Sequence, residues 1–252
     1  MQQPAFVVLG GSGGIGSVLV DRLVQRGWHV LAAGRDPGRL AILAQRCGVE
    51  TTTVEATDFD DVARLLAEAR DRFGRLDGVA NCVGSILLKP AHQTRPDELE
   101  AVVRTNLFSA FATVAAAAKS MTEGGSVALC ATAAALGGFA NHEAIAAAKG
   151  AVIGLMRSAA ATYAPRNLRV NAVAPGLVRT PLSARIVGND AALRASVAMH
   201  ALGRIGEPAH VASAIEWLLD PANDWTTGEV IAVDGGLSGL HPRPALPARA
   251  PD

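Results

Sequence analysis

The chain has little of what would mark it by composition. It holds only three cysteines, Cys47, Cys82 and Cys130, far apart and without a C-x-x-C pair. A disulfide framework and a cysteine zinc site are both poorly supported, and no metal is expected. Aromatics make up 4% of the residues, and 23 Lys+Arg balance 23 Asp+Glu to a formal net charge of zero. A balanced chain exerts no global pull on nucleic acid or on an anionic membrane, so neither is expected as a partner. No run of about 18 uninterrupted apolar residues occurs, so no membrane span is expected. The start, Met1 to Phe6, lacks the basic-then-apolar layout of a signal peptide. A soluble, reduced, cytoplasmic protein is the expectation. The 26 glycines and 13 prolines are too few for a low-complexity or collagen-like chain.

What is present is a rhythm. Half of the 252 residues are hydrophobic, ample for a sizeable core. Short aliphatic runs at 6–9, 29–33, 51–54, 76–81, 126–131, 168–174 and 230–233 alternate with longer helical spacings. The helical stretches lie at 18–26, 40–47, 60–73, 97–121, 143–164 and 208–219. Strands alternating with helices of ten or more residues imply βαβ crossovers. The predicted fold is therefore α/β: a single-domain, Rossmann-like, doubly wound parallel sheet with helices on both faces. One domain is expected over 1–240, and the proline-rich segment 241–252 reads as a disordered tail.

The first strand runs directly into Gly10-Gly11-Ser12-Gly13-Gly14-Ile15-Gly16, which opens the first helix. Strand, glycine turn and helix N-terminus together make a phosphate site. Glycines let the backbone approach a pyrophosphate, and the unpaired N–H groups at the helix start point toward it. A dinucleotide is the expected ligand. The second strand ends Ala33-Gly34-Arg35-Asp36. An acidic side chain at that tip would favour NAD by accepting from the ribose. Gly34 leaves the tip bare and Arg35 can pair with a 2′-phosphate, to which Ser12 could add a hydroxyl, so NADP(H) is expected. Asp36, next door, weakens that reading slightly.

Further marks follow in order: Asn81-Cys82-Val83-Gly84, Asn106, Lys149, Arg169 to Gly176, Thr180-Pro181, Gly203-Arg204, Glu207-Pro208 and Val233-Asp234-Gly235-Gly236. Together with the glycine turn, they resemble the short-chain dehydrogenases/reductases over about residues 5–238. The family turn is Thr-Gly-x-x-x-Gly-x-Gly; Gly10, Gly14 and Gly16 match it, while Leu9 stands for the threonine. The Asn-Asn-Ala-Gly element keeps its outer members, Asn81 and Gly84. The resemblance implies an acidic residue holding adenine, either Glu55 or Asp58. It also implies that Pro175, Gly176, Val178 and Thr180 lie along the nicotinamide, with Ile15 in the turn.

The resemblance breaks at the catalytic positions. Family members carry Tyr-x-x-x-Lys, in which the tyrosine exchanges a proton with the substrate oxygen and the lysine lowers its pKa. Here the residue four before Lys149 is Ile145, which has no proton to give. Thr132 stands where the family serine is expected and retains a hydroxyl. The sole tyrosine, Tyr163, falls late in the same helix and reads as a packing or interface residue. His142, seven residues before Lys149, shares its helical stripe and is the candidate acid, with Glu143 a lesser one and Asn141 the expected N-cap. Cys82 and Cys130 read as small buried residues near strand ends.

Three readings stay open. One is an NADP(H)-dependent oxidoreductase acting on a small, largely apolar carbonyl, enone or imine through Lys149, Asn106, Thr132 and a non-standard donor. Another is a silent cofactor-binding sensor or subunit. The last is elimination or isomerisation on the same fold. The alanine-rich helices at 97–121 and 143–164 point to a homotetramer or at least a dimer. In the family, residues 181–201 correspond to a mobile lid over substrate.

Overall fold

The computed structural model describes residues 3–241. Seven strands form one parallel sheet in the order β3-β2-β1-β4-β5-β6-β7. They are β1 (Ala5–Leu9), β2 (His29–Gly34), β3 (Glu50–Thr53), β4 (Gly78–Asn81), β5 (Gly125–Cys130), β6 (Leu168–Pro175) and β7 (Val230–Val233). The order reverses between β1 and β4, which opens a crevice beyond their carboxyl ends. Apart from His241, the proline-rich segment expected to be disordered lies outside the described residues.

The helices are α1 (Gly14–Gln25), α2 (Pro37–Cys47), α3 (Phe59–Phe73), α4 (Pro96–Val103), α5 (Ser109–Ser120), α6 (Glu143–Tyr163), α7 (Ala184–Val187), α8 (Asp190–Met199) and α9 (Pro208–Leu219). Their ends follow local chemistry. Asp58 caps α3 by accepting from the Asp60 and Asp61 N–H groups, Arg70 and Arg72 sit in its last turn, and Gly74 (φ 71°) ends it. Asp36 caps α2 through Arg39 N–H at 3.1 Å, with Pro37 in the first turn.

Both faces of the sheet are covered. Val7, Leu9, Leu31, Val79 and Val127 pack with Leu66 and Met156 on one face, under α3, α5 and α6. Phe6, Val8, Ala32, Ala80 and Ala128 pack with Leu19, Leu23 and Ile215 on the other, under α1 and α9. Each fully buried leucine or phenylalanine contributes about 1.5–3 kcal/mol, so these two layers hold the fold. Arg22 and Arg26 bind Glu216 at 2.5 and 3.2 Å and tie α1 to α9 at the rim. Both arginines are well exposed, so those pairs add little.

Two departures from the sequence reading affect the site. The long helix expected over 97–121 is broken by one wide π turn, Arg104–Phe108. The N-cap position of α6 is His142 rather than Asn141; Asn141 instead takes a left-handed conformation (φ 64°) that turns the chain into the helix. Pro96–Ser120 and Glu143–Arg166 are also long and apolar enough by composition to cross a membrane, although charged residues interrupt both. Here they pack on the sheet with their apolar sides.

Candidate functional site

A cleft of about 480 Å³ opens where the strand order reverses. Its floor is the glycine turn: Gly10, Ser12, Gly14 and Ile15 line it, with Gly84, Thr105 and Thr180 opposite. Gly10 has φ 73°, a conformation that disfavours side chains. A Cβ on Gly16 would overlap the Gly10 carbonyl oxygen, and one on Gly14 would lie 2.7 Å from Thr180 Cγ2. The turn is thus stripped to backbone and folded tightly onto itself, as a pyrophosphate cradle requires. These residues fit a dinucleotide.

At the far end of the cleft lie Gly34, Arg35, Asp36, Arg39, Glu55 and Thr57. Asp36 spends its carboxylate on the Arg39 N–H as the α2 cap. Arg39, which the motif reading passed over, hydrogen-bonds the Ser12 carbonyl at 2.8 Å and so sits beside Arg35 on the same rim. A Cβ on Gly34 would stand 3.1 Å from Ser12 Oγ, so a side chain there would crowd that hydroxyl. Of the two acidic residues considered for adenine, Glu55 lines the cleft, whereas Asp58 is the α3 cap. Burial would raise the Glu55 carboxyl, but the Thr57 N–H and hydroxyl hold it below the usual glutamate value, helped by Arg35 and Arg104.

At the near end, the π turn carries Asn106, buried to 1% exposure. Its Nδ2 donates to Ser85 Oγ and to the Val102 carbonyl, both at 2.9 Å, and its Oδ1 accepts the Ser85 N–H at 3.3 Å. Such widened turns recur at functional sites, and this one aims an amide inward that a regular helix would carry elsewhere. A side chain at Gly84 would begin 3.1 Å from Asn106 Oδ1 and 3.6 Å from Lys149 Nζ, which draws these three residues together. Lys149 comes from α6 and donates to the Cys130 carbonyl at 2.6 Å. Burial pushes its ammonium below the ordinary lysine range.

Asn81 faces away from the cleft. Its Nδ2 donates to Thr113 Oγ1 at 3.0 Å while its Oδ1 accepts the Val83 N–H, which shapes the loop ending in Gly84. Val178 is buried, with its side chain among the core residues over α1 and α9. Tyr163 packs against the core, with the Arg166 guanidinium over its ring.

A second cavity, about 170 Å³, brings Thr132, His142 and Ile145 together with Pro175 and Gly176. Ile86, Leu88, Phe139, Leu177, Ile186, Met199 and Leu237 complete walls that carry no carboxylate or ammonium group. Helices α7 and α8, from the segment read as a lid, supply Ile186, Ser196 and Met199. The His142 Nδ1–H donates to the Ala140 carbonyl at 2.8 Å, and the ring leans on Phe139. His200, also on this wall, went unnoticed in the sequence because no motif spacing marks it. Its Nδ1–H donates to the Ser196 carbonyl within α8 and its Nε2 accepts the Leu177 N–H, so the ring ties the end of α8 to the segment after β6.

The comparisons with known proteins agree with this geometry. The family model described as enoyl-(acyl carrier protein) reductase matches residues 10–238. A 2,5-dichloro-2,5-cyclohexadiene-1,4-diol dehydrogenase of Sphingobium indicum is 33% identical over 243 residues, covering 93% of this chain and 97% of its own. A cis-4-hydroxycyclohexanecarboxylate dehydrogenase of Sinomonas cyclohexanicum is 35% identical over 242 residues, covering 93% and 96%. The solved structure of ElxO with NADP bound superposes with a TM-score of 0.87 at 25% identity, covering 93% of this chain and 98% of that one. With a glycine cradle at the strand-order reversal and a family match over nearly the whole chain, this protein belongs to the short-chain dehydrogenase/reductase family of oxidoreductases.

Proposed function

We propose that the protein is an NADP(H)-dependent oxidoreductase acting on a small, largely apolar cyclic carbonyl or enone. The observation that carries the cofactor choice is the rim beyond β2. There Asp36 is consumed as a helix cap, while Arg35 and Arg39 flank the bay beside Ser12. An adenosine 2′-phosphate would find two guanidinium groups there, with the Asp36 carboxylate held by its cap bond to the Arg39 N–H. NADPH is expected to bind tighter than NADH, and Arg35→Ala to cost about 10- to 100-fold in NADPH affinity, the worth of one or two charge-assisted hydrogen bonds. Fluorescence titration of both cofactors against both proteins tests this. Equal wild-type affinities, or no loss in the variant, would exclude the assignment.

When bound, a nicotinamide supplies or accepts a hydride. The chain's own residues then have defined tasks. In this reading Thr132 Oγ1 and the Lys149 ammonium steady the negative charge that develops on a substrate oxygen, and Asn106 holds the loop carrying Gly84 and Ser85. Ile145 stands at the position of the family tyrosine, so the proton must come from elsewhere. His142 is the candidate, through Nε2, because Nδ1 is already engaged with the Ala140 carbonyl. The apolar walls favour an uncharged substrate, and the cyclic alcohols in the names of the two relatives support an alicyclic one. Ile145 also motivates a second reading, a cofactor-binding protein without turnover. NADPH consumption with a panel of cyclic ketones and enones separates the two.

A homo-oligomer, at least a dimer, is part of the same proposal. Along α6, Ala147, Ala151, Gly154, Ser158 and Ala161 form an exposed stripe of small residues that would let a second copy approach closely. Nothing lies within 4 Å of a Cβ built on Gly154, so Gly154→Arg leaves the subunit fold undisturbed. Light scattering at micromolar concentration is expected to show an oligomer for the wild type and a smaller species for Gly154→Arg. A monomeric wild type would refute the proposal.

A further inference from the structure

Two of the three cysteines meet beside the cofactor cleft, at the ends of strands far apart in sequence. The β4–β5 register pairs Ala80 with Ala128 and Asn81 with Leu129, so the next step brings Cys82 opposite Cys130. Both side chains pack against the same core cluster, on the α1 and α9 face. Neighbouring strands lie about 4.8 Å apart, within the Cα separation that a disulfide accepts. The residues stand where the strands end, just past β4 Asn81 and at the last residue of β5, Cys130, each still bonded or paired on its outer side to Leu9 or Val173.

The surroundings tie this pair to the cleft. Cys82 lines the cleft wall, and its carbonyl carbon lies 3.0 Å from where a side chain on Gly10 would begin. The Cys130 carbonyl accepts from Lys149 Nζ at 2.6 Å. The neighbouring Cys82 thiol lowers the Cys130 thiol from its ordinary range, against the effect of burial and with help from the Lys149 charge. The same contact, with burial, raises Cys82. Cys130, whose carbonyl holds the Lys149 ammonium, is the sulfur assigned as the attacker. Cys47 is elsewhere, on α2, where its thiol donates to Asp21 at 2.7 Å.

We propose that Cys82 and Cys130 are a redox-active dithiol, oxidised by hydroperoxides to an intramolecular disulfide that distorts the cofactor cleft. The Cys130 thiolate attacks the terminal oxygen of the hydroperoxide, the O–O bond breaks, and the departing alkoxide takes up a proton to leave as an alcohol. The resulting sulfenic acid is then attacked by the Cys82 sulfur, which loses its proton as the S–S bond forms and water leaves. Two thiols are oxidised and one peroxide is reduced. An S–S bond of about 2.05 Å draws together the Cys82 backbone against Gly10 and the Cys130 carbonyl on Lys149. Both are supports of the cleft.

The test counts thiols and does not depend on turnover, so it stands or falls separately from the proposed reaction. The purified full chain is treated with a few equivalents of hydrogen peroxide and quenched. Free thiols are then titrated in denaturant, and intact mass and digested peptides are measured. The expected result is a fall from three thiols to one, a mass loss of about 2 Da, and a Cys82–Cys130 linked peptide that dithiothreitol releases. NADPH affinity, read by fluorescence, should fall on oxidation and recover on reduction. Cys82→Ser and Cys130→Ser should each abolish the intramolecular link. Retention of three thiols, addition of oxygen to either cysteine without a link, a link to Cys47 or between chains, or unchanged NADPH affinity after the link forms would each overturn the proposal. Because the wild type alone gives these outcomes, the test survives even if a serine variant folds poorly.

Discussion

Ile145→Tyr is expected to raise the reduction of a simple cyclic ketone by about 10²–10⁴-fold, the usual worth of general acid catalysis. Ile145 is buried on α6, one turn before Lys149, and its side chain forms part of the wall of the apolar cavity beside Thr132. A phenol at that position would extend along the same wall toward Lys149. The ammonium there would lower the phenol's pKa and make it a better donor. Hydride delivery to a ketone leaves charge on one oxygen, so the wild type, with no acid at 145, should handle ketones poorly. An enone spreads that charge over its conjugated system before protonation and should gain less from the substitution. NADPH affinity should not change, because Ile145 lines the substrate cavity and not the glycine cradle. His142→Ala in the wild-type background completes the comparison: its residual ketone activity should drop if the imidazole supplies the proton. If wild type reduces simple ketones as fast as Ile145→Tyr does, with His142→Ala unchanged, the impaired-acid argument and the His142 assignment both fail. If neither protein consumes NADPH with any carbonyl tested while binding it normally, the protein is a silent binder.

The other large effect belongs to Gly16. Its position in α1 is ordinary helix, and alanine would usually be welcome there. Here the added methyl would overlap the Gly10 carbonyl oxygen and come within 2.9 Å of its carbon, so backbone must move. The cheapest movement opens the turn between Gly10 and Gly14, which is the cradle itself. Gly16→Ala is therefore expected to weaken NADPH binding by about 100-fold, equivalent to about 2.7 kcal/mol. A fall in Tm should accompany it, as overpacking costs about 1–3 kcal/mol. Gly150→Ala provides the contrast, because nothing lies within 4 Å of a Cβ built there. It should raise Tm slightly by restricting the unfolded chain and leave binding intact. Titration and thermal melts on the two variants check both halves. Unaltered NADPH affinity in Gly16→Ala would show that the turn is not the phosphate cradle.

The strand and helix series was legible because each element repeats a local signal. Phe6-Val7-Val8-Leu9 and Val230-Ile231-Ala232-Val233 are short aliphatic runs, and the helices between them carry apolar residues at helical spacing. Most long elements fall within a few residues of where spacing puts them. The glycine turn was legible too, because its purpose is steric and glycine is the means. What failed were features decided between segments. Asn141 looks like a cap by residue type, but the left-handed turn at 141 delays the helix so that His142 takes the cap position. The π turn at 104–108 has no compositional signature; the loop carrying Ser85 binds Asn106 from outside the helix.

By itself, the sequence determined the α/β rhythm, the glycine turn, the bare tip of the second strand and an isoleucine at 145 four residues before Lys149. All of these depend on residue type at a position or on spacing within one element, where chain geometry is short-ranged. Only the tertiary structure decided that Arg39 joins Arg35 beside Ser12. The same holds for His200 bracing the lid, for Asn81 turning from the cleft to Thr113, and for Cys82 lying against Cys130. Each of these depends on contacts between segments distant in the chain, which no local pattern encodes.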